Sequence, residues 1–139
     1  MEGVSSTLSF MGALLFLLGL LTGFGIPVFR SPRIGVSAHL DAIESGLALI
    51  VFGLLIPHLT ISLGWASLIA HTMWISLYLG WLGLLFGAAY GTGRIIPIAG
   101  AGVSAEPWQE NAARALMSLG FTGAIVAIVA LLVQWRWTA

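Results

Sequence analysis

The chain has 139 residues, 59% of them hydrophobic and 7% charged, with a formal net charge of zero. An average soluble domain is about 25% charged, and a chain this apolar has too little polar surface to cover a ball in water, so the expected unit is one all-α integral membrane domain in lipid. The five basic residues are all arginine and are balanced by five acids, which leaves no basic track for nucleic acid, and the lack of cysteine excludes disulfides, thiolate metal sites, cysteine-ligated iron–sulfur clusters and cysteine nucleophiles.

Crossing the hydrocarbon takes about 20 apolar residues in a helix, because every backbone polar group must pair within the segment. The first predicted span is 8–29, which carries no charge. It is too long for a cleaved signal peptide and is expected to be a retained helix. The second, 39–63, begins at His39, holds its acids Asp41 and Glu44 in the first turns, and contains Pro57, which is expected to kink it. The third, 66–90, has His71 as its only ionisable group besides tyrosines, and the fourth is 112–133.

Spans two and three are separated only by the residues around Ser62-Leu63-Gly64 and must be antiparallel neighbours. Spans one and two are joined by RSPRIGVSA, and spans three and four by a Gly/Pro/Ala-rich stretch of about twenty residues from Gly91. A connection that long either covers a site or is disordered. Arg30, Arg33, Arg94 and Arg114 lie on the side of these two longer connections, against Arg136 alone on the other. The positive-inside rule then puts both longer loops in the cytoplasm, both termini outside, and Trp65, Trp135 and Trp137 in an outer aromatic belt, consistent with a bacterial inner membrane.

Ionisable residues inside a span are functional candidates, since burying them in lipid is costly. After His39, helical spacing puts Ala42, Gly46, Leu49 and Gly53 on the same face. That face admits two readings: a small-residue helix seam, or a smooth seat for a flat macrocycle whose iron the histidine holds. Asp41 and Glu44 could hold a metal or move a proton, or simply complement the helix dipole near Arg30 and Arg33. His58 and His71 have no second ligating residue at metal-ligand spacing along the sequence and read as interface or hydrogen-bonded core histidines. His71, Trp74, Tyr78, Trp81 and Leu85 form one stripe of the third span, either packing or one wall of an aromatic pocket. Ser76, Gly80, Gly83 and Gly87 form another, read as close helix packing. Counting residues from the tight turn, Tyr78 differs in level from His39 by about 15 Å, and Tyr90 is nearer. No phosphate loop, nucleophile elbow, zinc motif or dinucleotide fingerprint is present.

The stretch LLTGFGIPVFRSPRIGVSAHLDAIESG, with the core SPR-x-G-x-SAHL, closely resembles the hydroxylaminobenzene mutases, as do YLGWLG, AAYGTG and the pair Gln109-Glu110. The likeness covers most of the chain and is strongest over 20–50. It implies a four-helix membrane enzyme that converts an arylhydroxylamine to an aminophenol within one molecule. The membrane-bound styrene oxide isomerases look like more distant relatives. In that family a histidine at the head of helix two ligates a b-type haem between subunits of a trimer, and ferric iron acts as a Lewis acid. The matching position is His39. Where the isomerases carry an asparagine six residues later, this chain has Ser45; keeping the same spacing from the histidine, their helix-three tyrosine falls on Leu84. Those departures set epoxide isomerisation below the mutase reading.

The combined expectation is a mutase acting on a small hydrophobic aromatic substrate. Haem b is held by His39 against Ala42 and Gly46, with Arg30 and Arg33 on its propionates. Ser45, Tyr78 and Tyr90 are the candidate catalytic helpers, and the assembly is a homotrimer by the resemblance. The alternatives are a styrene-oxide-type epoxide isomerase and a non-enzymatic haem-binding membrane subunit.

Overall fold

The computed structural model describes residues 1–94 and 96–135. It holds four helices and, among the described residues, no strand: α1 (Glu2–Gly25), α2 (Pro32–Leu55), α3 (Leu63–Tyr90) and α4 (Pro107–Gln134). Short 3-10 turns, Ile26–Val28 and Ile56–His58, extend α1 and α2. With those turns included, all four are long and apolar enough to cross a bilayer. The outward faces carry side chains such as Leu21, Phe24, Leu54, Ile125 and Val133, as lipid contact requires.

The helix limits differ from those that hydropathy suggests, because hydropathy marks the lipid segment while backbone chemistry marks the helix. α2 begins at Pro32, seven residues before His39, since a proline at N1 has no N–H to lose. His39 therefore lies about 10 Å inside the helix instead of opening it. Asp41 and Glu44 are correspondingly beyond the first turn, and the dipole role expected for them falls away. α4 likewise starts at Pro107, where the Glu106 N–H donates to Gln109 Oε1 at 3.0 Å. Pro57 does not kink α2: the α-helix ends at Leu55 and Pro57 sits in the 3-10 turn that follows. At the other end of the tight turn, the Ser62 hydroxyl accepts from the Trp65 N–H and caps α3.

Two tight helix pairs, α1–α2 and α3–α4, are joined through α2 and α3. Glycine makes both seams possible. A Cβ on Gly46 would lie 2.7 Å from the Gly12 carbonyl oxygen and from the Phe16 backbone nitrogen, and one on Gly12 would lie 2.6 Å from the Gly46 oxygen. Across the other seam, a Cβ on Gly83 would lie 2.8 Å from the Met117 nitrogen, and Gly80 faces Phe121. The Ser76/Gly80/Gly83 stripe is thus a packing surface for α4, as its spacing suggests. Leu8, Leu15, Leu49, Ile69 and Met73 fill the space between the pairs.

Candidate active site

His39 projects from α2 toward α1, where its Nδ1 lies 2.7 Å from the Gly19 carbonyl oxygen and its ring covers the bare backbone of Gly23. A carbonyl can only accept, so Nδ1 carries the proton, and in the neutral ring Nε2 presents a lone pair. Among the described residues nothing bonds that Nε2. This is how metal-binding imidazoles are usually held: one nitrogen donates to a backbone carbonyl and fixes the ring, and the other is left for the metal. Glycine at 23 is what admits the ring, since a Cβ there would lie 2.9 Å from Nδ1.

The smooth face beyond His39 is occupied. A Cβ on Gly19 would touch the Ala42 methyl at 2.9 Å, and Gly46 meets the backbone of Gly12 and Phe16. Ala42 and Gly46 therefore form the α1–α2 seam, and the expectation that a macrocycle lies against them is corrected: α1 already fills that space. A group bonded to Nε2 must extend outside the chain's own core.

No three His, Asp or Glu side chains converge among the described residues, so a bare ion has no ligand cluster here. A haem would need none, because the macrocycle brings four nitrogens and asks the protein for a single axial donor. His39 fits that requirement.

Ser45 is buried on a different side of α2, in a cleft of about 220 Å³ between α2, α3 and α4. Glu44, Phe52, Met73, Leu77 and Ile128 also line it. Six residues along a helix turn the direction by about 120° relative to His39, so one copy of the chain does not bring Ser45 to the imidazole. Glu44 is exposed on the single chain, and Asp41, three residues earlier, buries an Oδ2 that has no hydrogen-bond partner. Arg30 and Arg33 pair with neither acid; both are exposed at the end where α2 begins, the Arg30 stem lying over Gly91.

The two tyrosines are engaged elsewhere. Tyr78 reaches across to α1, its hydroxyl donating to the Met11 carbonyl at 2.8 Å and its ring edge-on to Trp74 and Trp81. That stripe is packing and not the wall of an open pocket, although the Trp74 and Trp81 Nε1 atoms are buried without partners. Tyr90 stacks with Phe86 and Trp108 at the arginine-bearing end. Neither tyrosine meets His39, and the structure does not support them as helpers at that imidazole. His71 is exposed, its Nδ1 2.7 Å from the Ser67 carbonyl of its own helix. Arg136 and Trp137, which entered the orientation and belt arguments, lie outside the described residues.

The residue that sequence reasoning undervalued is Glu110. It is 2% exposed, and its carboxylate accepts the backbone N–H groups of Gly93 and Arg94 at 2.9 and 3.2 Å. Ser31 adds two ties, its N–H to the Ala88 carbonyl at 3.0 Å and its hydroxyl to the Ala99 carbonyl at 3.3 Å. The long connection is thereby folded onto the ends of α2 and α3. An acid in the first turn of α4, beside a glycine-rich loop full of unpaired N–H groups, was the available signal.

Residues 4–136 match the styrene oxide isomerase family. Hydroxylaminobenzene mutase HabB of Ectopseudomonas oleovorans is 37% identical over 123 residues, covering 87% of this chain and 75% of that protein. Hydroxylaminobenzene mutase HabA of the same organism is 38% identical over 104 residues, covering 72% of this chain and 75% of that protein. No solved structure matches significantly. A match running through all four helices, with mutases at this level of identity, means that the chain belongs to the styrene oxide isomerase family and is a membrane-embedded isomerase of the mutase kind.

Proposed function

We propose that the protein rearranges an arylhydroxylamine of the hydroxylaminobenzene type to an aminophenol, using an iron held by His39. The relatives' mutase activity supplies the reaction class. The observation that carries the site is the imidazole anchored through Nδ1 to Gly19 with Nε2 open. When bound there, a ferric haem b supplies a Lewis acid for the oxygen of the N–O bond.

The chain's own contributions follow from its geometry. Gly19 and Gly23 hold the ring in one tautomer and one orientation. His39 lies about 10 Å along a helix some 40 Å long, hence just inside the hydrocarbon, where bulk water is excluded and the oxygen can return to the ring instead of being lost. Arg30 and Arg33, exposed at that same end, are the candidates to pair carboxylates at the membrane surface. Ser45 and His39 face different sides of α2, so both reach one substrate only if neighbouring copies supply them. A homotrimer, expected from the resemblance, meets that need, and the longer loops then lie in the cytoplasm of a bacterial inner-membrane protein.

The test is purification in detergent, an absorption spectrum, and product analysis after adding hydroxylaminobenzene. A Soret band absent from His39→Ala, together with an aminophenol formed only by the wild type, is the expected result. A colourless, fully active preparation would refute the iron, and an active His39→Ala would refute the site. The family match keeps one second reading open, opening of an aryl epoxide, which the same preparation tests with styrene oxide.

A further inference from the structure

Arg94 and Arg114 flank Glu110, yet the acid pairs with neither guanidinium. The Arg94 N–H donates to Glu110 Oε2 at 3.2 Å, which anchors that residue beside the carboxylate. Arg114 follows Glu110 by one turn of α4, the i,i+4 spacing at which an acid and a base commonly pair on a helix surface. The loop clamp explains why they do not. Glu110 is 2% exposed, and its two oxygens are taken by the N–H groups of Gly93 and Arg94. Arg94 and Arg114 are both exposed, and among the described residues neither side chain forms a hydrogen bond or ion pair. Glu106, the other acid of that end, forms no ion pair with them either.

Their depth decides what can face them. α4 has 28 residues, so it is about 42 Å long against a hydrocarbon of about 30 Å, and when centred it projects about 6 Å at each end. Glu110 then lies about 4.5 Å along the helix, level with the lipid headgroups, and Arg114 about 10 Å along it, just inside the hydrocarbon. A second observation marks the same level. Trp108 and Tyr90, 60% and 38% exposed, pack edge to face with ring centres 6.0 Å apart, and such amphipathic aromatics favour the membrane interface. An arginine just inside the hydrocarbon runs its stem along apolar surface and turns its head outward to an anion. The chain's own anion is spent on the loop, so the membrane surface is what remains to supply one.

We propose that Arg94 and Arg114 hold the headgroup phosphate of an anionic phospholipid at this edge of the bundle. A guanidinium presents a planar fork of donors that matches phosphate oxygens. A zwitterionic lipid partly cancels its phosphate with its own ammonium, whereas an anionic one keeps its charge for the arginines. Arg94 belongs to the long connection and Arg114 to α4, so the lipid bridges from outside the two segments that Glu110 bridges from inside. Arg30 and Arg33 stay with the carboxylates proposed above, and the site is separate from His39.

The experiment is native mass spectrometry of the detergent-solubilised protein with equal amounts of phosphatidylglycerol and phosphatidylcholine of identical acyl chains. The wild type should carry more phosphatidylglycerol. Arg94→Gln and Arg114→Gln should each lower the ratio of the two adducts about fivefold, the worth of one basic residue near an anionic surface. The double replacement by lysine, which keeps both charges, should retain most of the preference. Raising the salt should lower the wild-type ratio, a measurement that needs no variant. Phosphatidylglycerol should also slow proteolysis within 91–106 in the wild type and not in the double glutamine variant.

An unchanged ratio in the double glutamine variant, a lysine variant no better than it, or a wild-type ratio indifferent to salt overturns the proposal. So does displacement of the lipid by inorganic phosphate at constant ionic strength, which would make this a site for soluble anions. Loss of the preference in His39→Ala, with both arginines intact, would give the arginines to the carboxylates of a bound macrocycle instead.

Discussion

Replacing Gly46 by alanine adds one methyl group where α1 and α2 touch through backbone. The new Cβ would lie 2.7 Å from both the Gly12 oxygen and the Phe16 nitrogen, whereas ordinary contact begins at 3.4 Å. Neither neighbour is the end of a flexible side chain, so the helices must part by about 0.7 Å, a gap that forfeits a quarter to a half of the dispersion attraction along the seam. Overpacking of this kind costs about 1–3 kcal/mol, against which alanine returns up to about 1 kcal/mol in helix propensity over glycine. The net expectation is a loss of about 1–2 kcal/mol. The same displacement, carried along α2 as a rigid rod, would stretch the 2.7 Å bond from His39 Nδ1 to Gly19 toward about 3.4 Å, where an N–H···O bond is long and weak. Unfolding in mixed micelles of rising SDS content, followed by circular dichroism, measures the first effect, and Soret absorbance per mole of protein the second. Gly64→Ala is the control, because nothing lies within 4 Å of a Cβ there. If Gly46→Ala proves as stable as Gly64→Ala, the backbone-tight seam described here is wrong.

Three further outcomes are expected. Gly23→Ala puts a methyl 2.9 Å from His39 Nδ1 and should lower haem occupancy while costing less stability than Gly46→Ala, because an imidazole tip yields more easily than backbone; absorbance and the same unfolding assay separate the two. Glu110→Gln leaves two loop N–H groups sharing a neutral side chain whose amide nitrogen cannot accept, at a cost of about 2–3 kcal/mol. Faster proteolysis within 91–106 would reveal it, and an unchanged cleavage rate would contradict the clamp. Tyr78→Phe removes one hydrogen bond, to Met11, and should cost about 1 kcal/mol while leaving aminophenol yield intact; a large fall in turnover with normal stability would return Tyr78 to the active site.

Apolar length and charge placement made four spans legible without coordinates, because lipid tolerates few other ways of satisfying a backbone. The small-residue stripes were equally readable as close contacts, and for Gly80 and Gly83 that is what they are. The motif around SAHL pointed to His39. Its depth did not follow, since the apolar run begins later than the helix: Pro32 and Ser31 set the start of α2, and that shift moves His39, Asp41 and Glu44 seven residues further from the helix end than hydropathy implied.

What sequence alone determined is the architecture and the family, both properties of local pattern, and the same pattern singled out one histidine as the candidate. Which face each side chain meets was decided by tertiary packing. Periodicity places Ala42 and Gly46 beside His39 but cannot say that α1 fills that face, that α1 also supplies the carbonyl orienting the imidazole, or that Ser45 and Glu44 open onto α3 and α4. A helix carries its side chains in every direction around its axis, and only the positions of its neighbours tell which direction is core, which is lipid and which is site.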